Sequence, residues 1–166
     1  DHTGDRDTGR GLGILAGDLA AALAQMLFAS LDVDIERHQK ASKIFADMHL
    51  DVVHGQTLDM LGESPARDIA IHKTASYTTI GPLTIGAALG GAGEIDIKRL
   101  AGLALPLGVA FQYSDDLLGT FGAADVTGKS TDRDLKTGKK TILLEEGLKR
   151  ANKDQKFAIE SVLGRE

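Results

Sequence analysis

Apolar side chains recur at three- and four-residue intervals along most of this sequence, and that spacing puts them on one face of an α-helix. A first run lies between residues 11 and 30, and a second follows between residues 35 and 62. No segment alternates apolar and polar residues in the way that a half-buried strand does. The sequence therefore predicts an all-α chain. The first run carries the stripe Leu12, Leu15, Leu19, Leu23 and Met26.

Capping and helix-breaking residues locate the remaining helices. Asp32 or Asp34 is placed to cap the second run. A third run covers residues 66–91, with a kink at Pro82, and a fourth begins at a cap formed by Asp96. Two more helices are predicted from KTILLEEGLKRA and DQKFAIESVLG, and the polar, glycine-rich stretch before them is typical of a long functional loop.

Length and composition limit the class of protein. With 166 residues, 42 % of them hydrophobic, we expect residues 1–166 to form a single domain. The net charge of −5 argues against a nucleic-acid partner, which needs a broad basic face. The sequence has no cysteine, which excludes thiolate chemistry and fits a cytoplasmic protein. The first residue is Asp1 rather than Met, so we expect that the chain begins inside a longer polypeptide.

Small residues dominate the predicted helices. Residues 75–93 carry no formal charge, but their threonines and glycines indicate a packed internal helix rather than stable insertion into a membrane. Only 4 % of the residues are aromatic, so the helices are expected to pack closely. Helix faces of this kind also line slots between helices, and such a slot suits a flexible hydrocarbon.

Two adjacent carboxylates mark the fourth helix. Gln112 precedes Asp115 by three positions and Asp116 by four, so these side chains project from neighbouring positions on one face. The two carboxylates repel each other in partly apolar surroundings, and a divalent cation would remove that conflict. Oxygen ligands without cysteine favour Mg²⁺. Alternatively, the two aspartates form an ordinary solvated turn of the helix.

Lysines lie both after this pair and on the third helical run. The first group is Lys129, Lys139 and Lys140, and Lys73 precedes Thr74 on the third run. Metal-binding carboxylates that face ammonium groups would clamp a diphosphate from both sides. Each lysine taken alone is more often an exposed residue that contributes only to solubility.

Five motifs in order connect these residues to a known family. They are GILAGDLAAALA, GQTLDM, HKTASYTT, FQYSDDLLGTFG and VTGKSTDRDLKTGKKT. Their order and spacing resemble the trans-isoprenyl diphosphate synthases, also called polyprenyl synthetases, over most of the chain. The resemblance implies an isoprenoid-synthase-type helical bundle around a central hydrocarbon cavity, here partial, and a homodimer. It also implies a Mg²⁺-dependent reaction that joins an allylic diphosphate to isopentenyl diphosphate.

The same resemblance implies roles for individual residues. It places the metal at Asp115 and Asp116. Gln56 and Asp59 match a GQxxD motif that lies beside the substrate cavity. We assign Phe111, which directly precedes Gln112, to the same cavity. The residues that it brings to the allylic diphosphate are Lys73, Thr74, Gln112, Lys129 and Lys139.

The sequence departs from the family pattern at two places. The DDxxD motif reads DDLLG, with Gly119 in the third acidic position, so one carboxylate is missing. A first DDxxD motif and its arginine pair do not occur in the sequence, so we expect the chain to be the downstream part of a longer domain. These departures leave an alternative function open, a non-catalytic subunit or prenyl-diphosphate-binding paralogue of such a synthase, and a terpene cyclase of related fold is a third possibility.

Overall fold

The computed structural model describes residues 5–122 and 136–164, which are helical and contain no strand. The prediction of an all-α chain is confirmed. A π-helix, called the π segment below, covers Ala70–Ile80. The α-helices are α1 (Arg6–Ala29), α2 (Ile35–Leu61), α3 (Ala66–Ile69), α4 (Gly81–Leu89), α5 (Glu94–Phe121), α6 (Ile142–Arg150) and α7 (Lys153–Val162).

Of the capping residues that the sequence predicted, one is confirmed and one is not. Asp34 caps α2, since its carboxylate accepts a hydrogen bond of 3.0 Å from the backbone N–H of Arg37. The prediction that Asp96 caps the fourth helix is wrong. The N-cap of α5 is Gly93, and Asp96 lies in the first turn, where its carboxylate is 3.4 Å from the guanidinium of Arg99. An acidic residue there still complements the positive end of the helix dipole.

The third predicted run is continuous from α3 through the π segment to α4. In its middle part, the π segment, the turns are wider than those of an α-helix. Where this wide stretch ends, the N–H of Gly81 donates to the carbonyl of Ser76, five residues earlier. Pro82 follows directly and has no N–H to donate, so the regular α-helical ladder is interrupted there. Lys73 and Thr74 lie within this wide segment.

Glycine and alanine bring the helix backbones close together. A Cβ atom added at Gly55 of α2 would lie 2.1 Å from the backbone nitrogen of Lys73 in the π segment. A Cβ atom added at Gly108 of α5 would lie 2.5 Å from the Cα of Ala75. Both distances are too short for any real contact, so only glycine fits. The hydrophobic residues of the described part of the chain that are at most 1 % exposed are Ala41, Ala70, Ala75, Ala88 and Ala104.

Helix α1 contributes little to this core. It has no buried residue, and its apolar stripe is exposed, with Leu15 at 62 % and Leu23 at 55 %. Its last turn contacts α2 through Phe28, whose ring stacks on Phe45 with centroids 4.9 Å apart. By length and composition α1 is the one helix of the described residues that could cross a membrane, a test that signal sequences and soluble core helices also pass. The predicted absence of membrane insertion stays a prediction.

The glycine contacts predict opposite effects for two alanine substitutions on α5. Gly108→Ala should destabilise the full-length protein by about 3 kcal/mol, because the new methyl group forces α5 away from the π segment. Gly102→Ala meets nothing within 4 Å and should stabilise the helix by about 0.5–1 kcal/mol. Urea unfolding of both variants measures the difference. Equal stabilities would contradict the close helix packing.

Candidate functional site

A small pocket lies where α2, α3, the π segment and α5 meet the start of α6. Its volume is about 20 Å³. That is room for roughly one water molecule. The pocket contains five residues that the sequence singles out as site candidates, together with Lys140 and Thr141. Its walls are formed by Asp59, Ala66, Ile69, Ala70, Lys73, Gln112, Asp116, Lys139, Lys140 and Thr141.

The first polar pair of the pocket joins α2 to the π segment. The ammonium group of Lys73 donates a short hydrogen bond to the carboxylate of Asp59. The side chains of Lys73 and Asp59 are only 29 % and 13 % exposed, so solvent screens this ion pair less than an ordinary surface pair. Asp59 therefore holds Lys73 at the pocket wall.

A chain of hydrogen bonds joins the π segment to α5. The hydroxyl of Thr74, which is 5 % exposed, donates to the amide oxygen of Gln112. The amide nitrogen of Gln112 in turn donates to one carboxylate oxygen of Asp116 at 2.8 Å. Because Gln112 has both a donor and an acceptor, it satisfies a buried hydroxyl and a buried carboxylate at once.

The start of α6 closes the other side of the pocket. The N–H of Ile142 donates to the second carboxylate oxygen of Asp116 at 3.4 Å, and Asp116 itself is only 4 % exposed. Thr141 caps α6, since its hydroxyl accepts from the N–H of Leu144 at 3.3 Å. Lys139 lies two residues before this cap and is half-buried in the pocket wall.

Other predicted site residues lie elsewhere or outside the described residues. Asp115, Gln56 and Phe111 are exposed and do not line the pocket. Lys129 lies outside the described residues. Asp115 and Asp116 are therefore neighbours in sequence with different surroundings, one carboxylate exposed and the other buried.

The residues present fit a magnesium ion only in part. Both oxygens of the Asp116 carboxylate accept protein N–H groups. The carboxylate of Asp115 is exposed on the same helix. Within residues 5–122 and 136–164, no group of three or more histidine or acidic side chains is arranged to hold a metal. An ion at this place would need phosphate oxygens and water for most of its ligands, which is how Mg²⁺ is commonly bound.

Sequence reasoning did not find every residue that shapes this site. It assigned Asp59 to a cavity wall and missed its ion pair with Lys73, which joins two different helices. It also missed Gly55, whose missing side chain lets α2 touch the backbone at Lys73. Thr141 had a usable signal, because a threonine directly before an apolar helical run is a common N-cap.

The fold and the pocket together define an all-α protein in which ammonium groups and carboxylates converge between helices. Comparison with known proteins identifies the class. Residues 2–166 match the family model of the polyprenyl synthetases, and the chain belongs to this family.

Relatives and solved structures agree with this assignment. The chain is 34 % identical over 162 residues to the geranylgeranyl diphosphate synthase of Sulfolobus acidocaldarius. This match covers 92 % of the chain and 49 % of that protein. It is 35 % identical over 149 residues to the geranylfarnesyl diphosphate synthase of Aeropyrum pernix, covering 84 % and 47 % respectively.

The structural comparison gives the same fold. A crystal structure of geranylgeranyl pyrophosphate synthase from Corynebacterium glutamicum, complexed with isoprenyl diphosphate and magnesium, superposes with a TM-score of 0.87 at 30 % identity. The superposition covers 96 % of this chain and 48 % of that one. The chain thus spans about half the length of the curated relatives it matches.

The Asp59 and Lys73 pair predicts a non-additive response to mutation. Lys73→Met should destabilise the full-length protein by about 2 kcal/mol, because it leaves a largely buried carboxylate without its cation. Adding Asp59→Asn to that variant should restore about half of the loss, since the neutral amide costs less to bury. Urea unfolding of the single and double variants measures this coupling.

The matched control is Lys98→Met on the exposed side of α5, which should change stability by less than about 0.5 kcal/mol. Strict additivity of the Lys73 and Asp59 substitutions would show that the pair contributes no coupling.

Proposed function

We propose that the protein of which this chain forms part is a prenyltransferase that condenses an allylic diphosphate with isopentenyl diphosphate to give a longer isoprenyl diphosphate. The observation that carries the proposal is the convergence of Lys73, Gln112, Asp116 and Lys139 on one pocket. These residues come from three separate parts of the chain, and a solubilising role for each lysine alone would not bring them together. The curated relatives, which make geranylgeranyl and geranylfarnesyl diphosphates, support the same reading.

The chemistry that this reaction needs is charge stabilisation on a departing diphosphate. The allylic C–O bond breaks with its electron pair leaving on the diphosphate, and a new C–C bond forms to the double bond of isopentenyl diphosphate. The proton that is then lost passes to the released diphosphate, so the protein needs no nucleophile of its own. Fixed positive charges that face the leaving group lower the barrier of such a step.

The side chains of the pocket supply the fixed charges. Lys73 and Lys139 both line the pocket and come from different elements, one from the π segment and the other from the residues before α6. The pocket, of about 20 Å³, is too small for a whole diphosphate, so the ligand sits at its mouth and the lysine side chains reach toward it. Lys73 then exchanges part of its contact with Asp59 for contacts with phosphate oxygens.

Magnesium, held at Asp115 and in part at Asp116, would supply further positive charge to the diphosphate oxygens. Thr74 and Gln112 keep Asp116 oriented through the hydrogen bonds described above. Lys129 belongs to the same diphosphate-binding group in this proposal, on the strength of the family motif. We also propose that the protein is a homodimer and that it is cytoplasmic. Both proposals rest on the sequence alone.

A second candidate function has one specific observation in its favour. Gly119 stands where the family motif has a third aspartate, and the carboxylate of Asp116 is already bonded to two protein N–H groups. A non-catalytic subunit that binds prenyl diphosphates would tolerate a weaker metal site. Such a subunit would bind an active synthase tightly and show no turnover alone.

Turnover by the full-length protein tests the proposal. With magnesium, isopentenyl diphosphate and dimethylallyl, geranyl or farnesyl diphosphate, we expect a longer isoprenyl diphosphate, measured by chromatography of the dephosphorylated product. Lys139→Ala should lower kcat/KM by about 100-fold, because it removes one of the fixed positive charges that face the leaving diphosphate.

The exposed Lys153 at the start of α7 offers a matched control, and Lys153→Ala should leave kcat/KM unchanged. Absence of any product from the full-length protein with all three allylic substrates would refute catalysis and favour the non-catalytic subunit.

A further inference from the structure

Glu145 makes a contact that nothing in the family motifs accounts for. Its carboxylate oxygen accepts a hydrogen bond of 2.8 Å from the backbone N–H of Ala66. Ala66 is the first residue of α3 and is 6 % exposed, while Glu145 lies in the first turn of α6. The bond therefore joins the N-terminal ends of two helices that are far apart in sequence.

The carboxylate replaces a cap that α3 does not have. The N-cap of α3 is Pro65, which makes no side-chain hydrogen bond to the helix. The first N–H groups of a helix have no partner inside it, and the positive end of the helix favours a negative charge there. Glu145 supplies both an acceptor and a charge from another helix, so this contact is a charge-assisted hydrogen bond.

The two helix ends that Glu145 joins lead to two of the three lysines that line the pocket, Lys73 and Lys139. The helix that begins at Ala66 continues into the π segment with Lys73, and Ala66 itself lines the pocket. On the other side, Lys139 precedes α6 by only a few residues. The separation of Lys73 from Lys139 therefore depends on how firmly the start of α6 is held against the start of α3.

Two other hydrogen bonds that join the start of α6 to described parts of the chain are longer. The N–H of Ile142 reaches the carboxylate of Asp116 at 3.4 Å. The ammonium group of Lys140 reaches the carbonyl of Gly62 at 3.4 Å and is exposed. The bond from Ala66 to Glu145 is the shortest of the three, and hydrogen bonds weaken as they lengthen.

We propose that Glu145 is a positioning residue for the diphosphate site. By fixing the start of α6 on the N-terminus of α3, its carboxylate sets the separation at which the ammonium groups of Lys73 and Lys139 meet one diphosphate. The inference rests on the proposed function, since it assumes that both lysines contact the same ligand.

Binding of inorganic pyrophosphate with magnesium to the full-length protein tests the inference by calorimetry. Glu145→Ala should raise the Kd about tenfold, because it removes a charge-assisted hydrogen bond that holds one wall of the site. Glu145→Gln should recover most of the affinity, because its amide oxygen still accepts from the N–H of Ala66. In turnover, Glu145→Ala should raise KM for the allylic diphosphate and change kcat less than about twofold.

The neighbouring Glu146 is the matched control. It lies on the same helix, and its carboxylate pairs with Lys149 at 2.8 Å and with Arg150 at 3.3 Å. The hydrogen bond from Lys149 lowers the pKa of Glu146, so this carboxylate is charged at neutral pH, as the comparison requires. Glu146→Ala should leave the Kd for pyrophosphate unchanged.

Hydrogen exchange separates a positioning role from a purely structural one. The amide of Ala66 should exchange faster in Glu145→Ala than in the wild type and should stay protected in Glu145→Gln. A Glu145→Ala variant that loses thermal stability but binds pyrophosphate like the wild type would overturn the inference. So would a Glu145→Gln variant that binds as weakly as Glu145→Ala. A wild-type protein that does not bind pyrophosphate would instead overturn the proposed function itself.

Discussion

Direct backbone contact between helices is the constraint on which the pocket depends. Gly55 of α2 and Gly108 of α5 leave no room for a side chain against the π segment between them. A helix pair normally stays 8–10 Å apart because side chains separate the axes. Here the missing side chains let short groups such as the hydroxyl of Thr74 and the carboxylate of Asp59 reach their partners on the neighbouring helix.

The polar groups brought together in this way are paired with one another before any ligand arrives. Asp59 binds Lys73, and Gln112 links Thr74 to Asp116. Buried groups of this kind need such partners, because an unpaired charge in apolar surroundings is costly. Under the proposed function, a diphosphate would therefore compete with Asp59 for Lys73, and binding would exchange one carboxylate partner of the lysine for phosphate oxygens.

The sequence could predict the helices because their apolar spacing and caps are local signals, as Asp34 shows for α2. It could also single out part of the pocket lining, namely Lys73, Gln112, Asp116 and Lys139, but it could not tell these residues from Asp115 and Gln56, which do not line the pocket. The π segment could not be predicted, because no clear pattern of amino acids marks the change from i→i−4 to i→i−5 backbone hydrogen bonds. The bond from Ala66 to Glu145 could not be predicted either, since it joins residues whose proximity exists only in the folded chain.

The central claim is that the ammonium groups of Lys73 and Lys139, which come from two separate elements, bind the same diphosphate. A crystal structure of the full-length protein with magnesium and pyrophosphate tests it most directly. The account predicts that the side-chain nitrogens of Lys73 and Lys139 both lie within about 3 Å of oxygens of the same pyrophosphate, at the mouth of the pocket. A pyrophosphate bound elsewhere, with Lys73 still held only by Asp59, would contradict it.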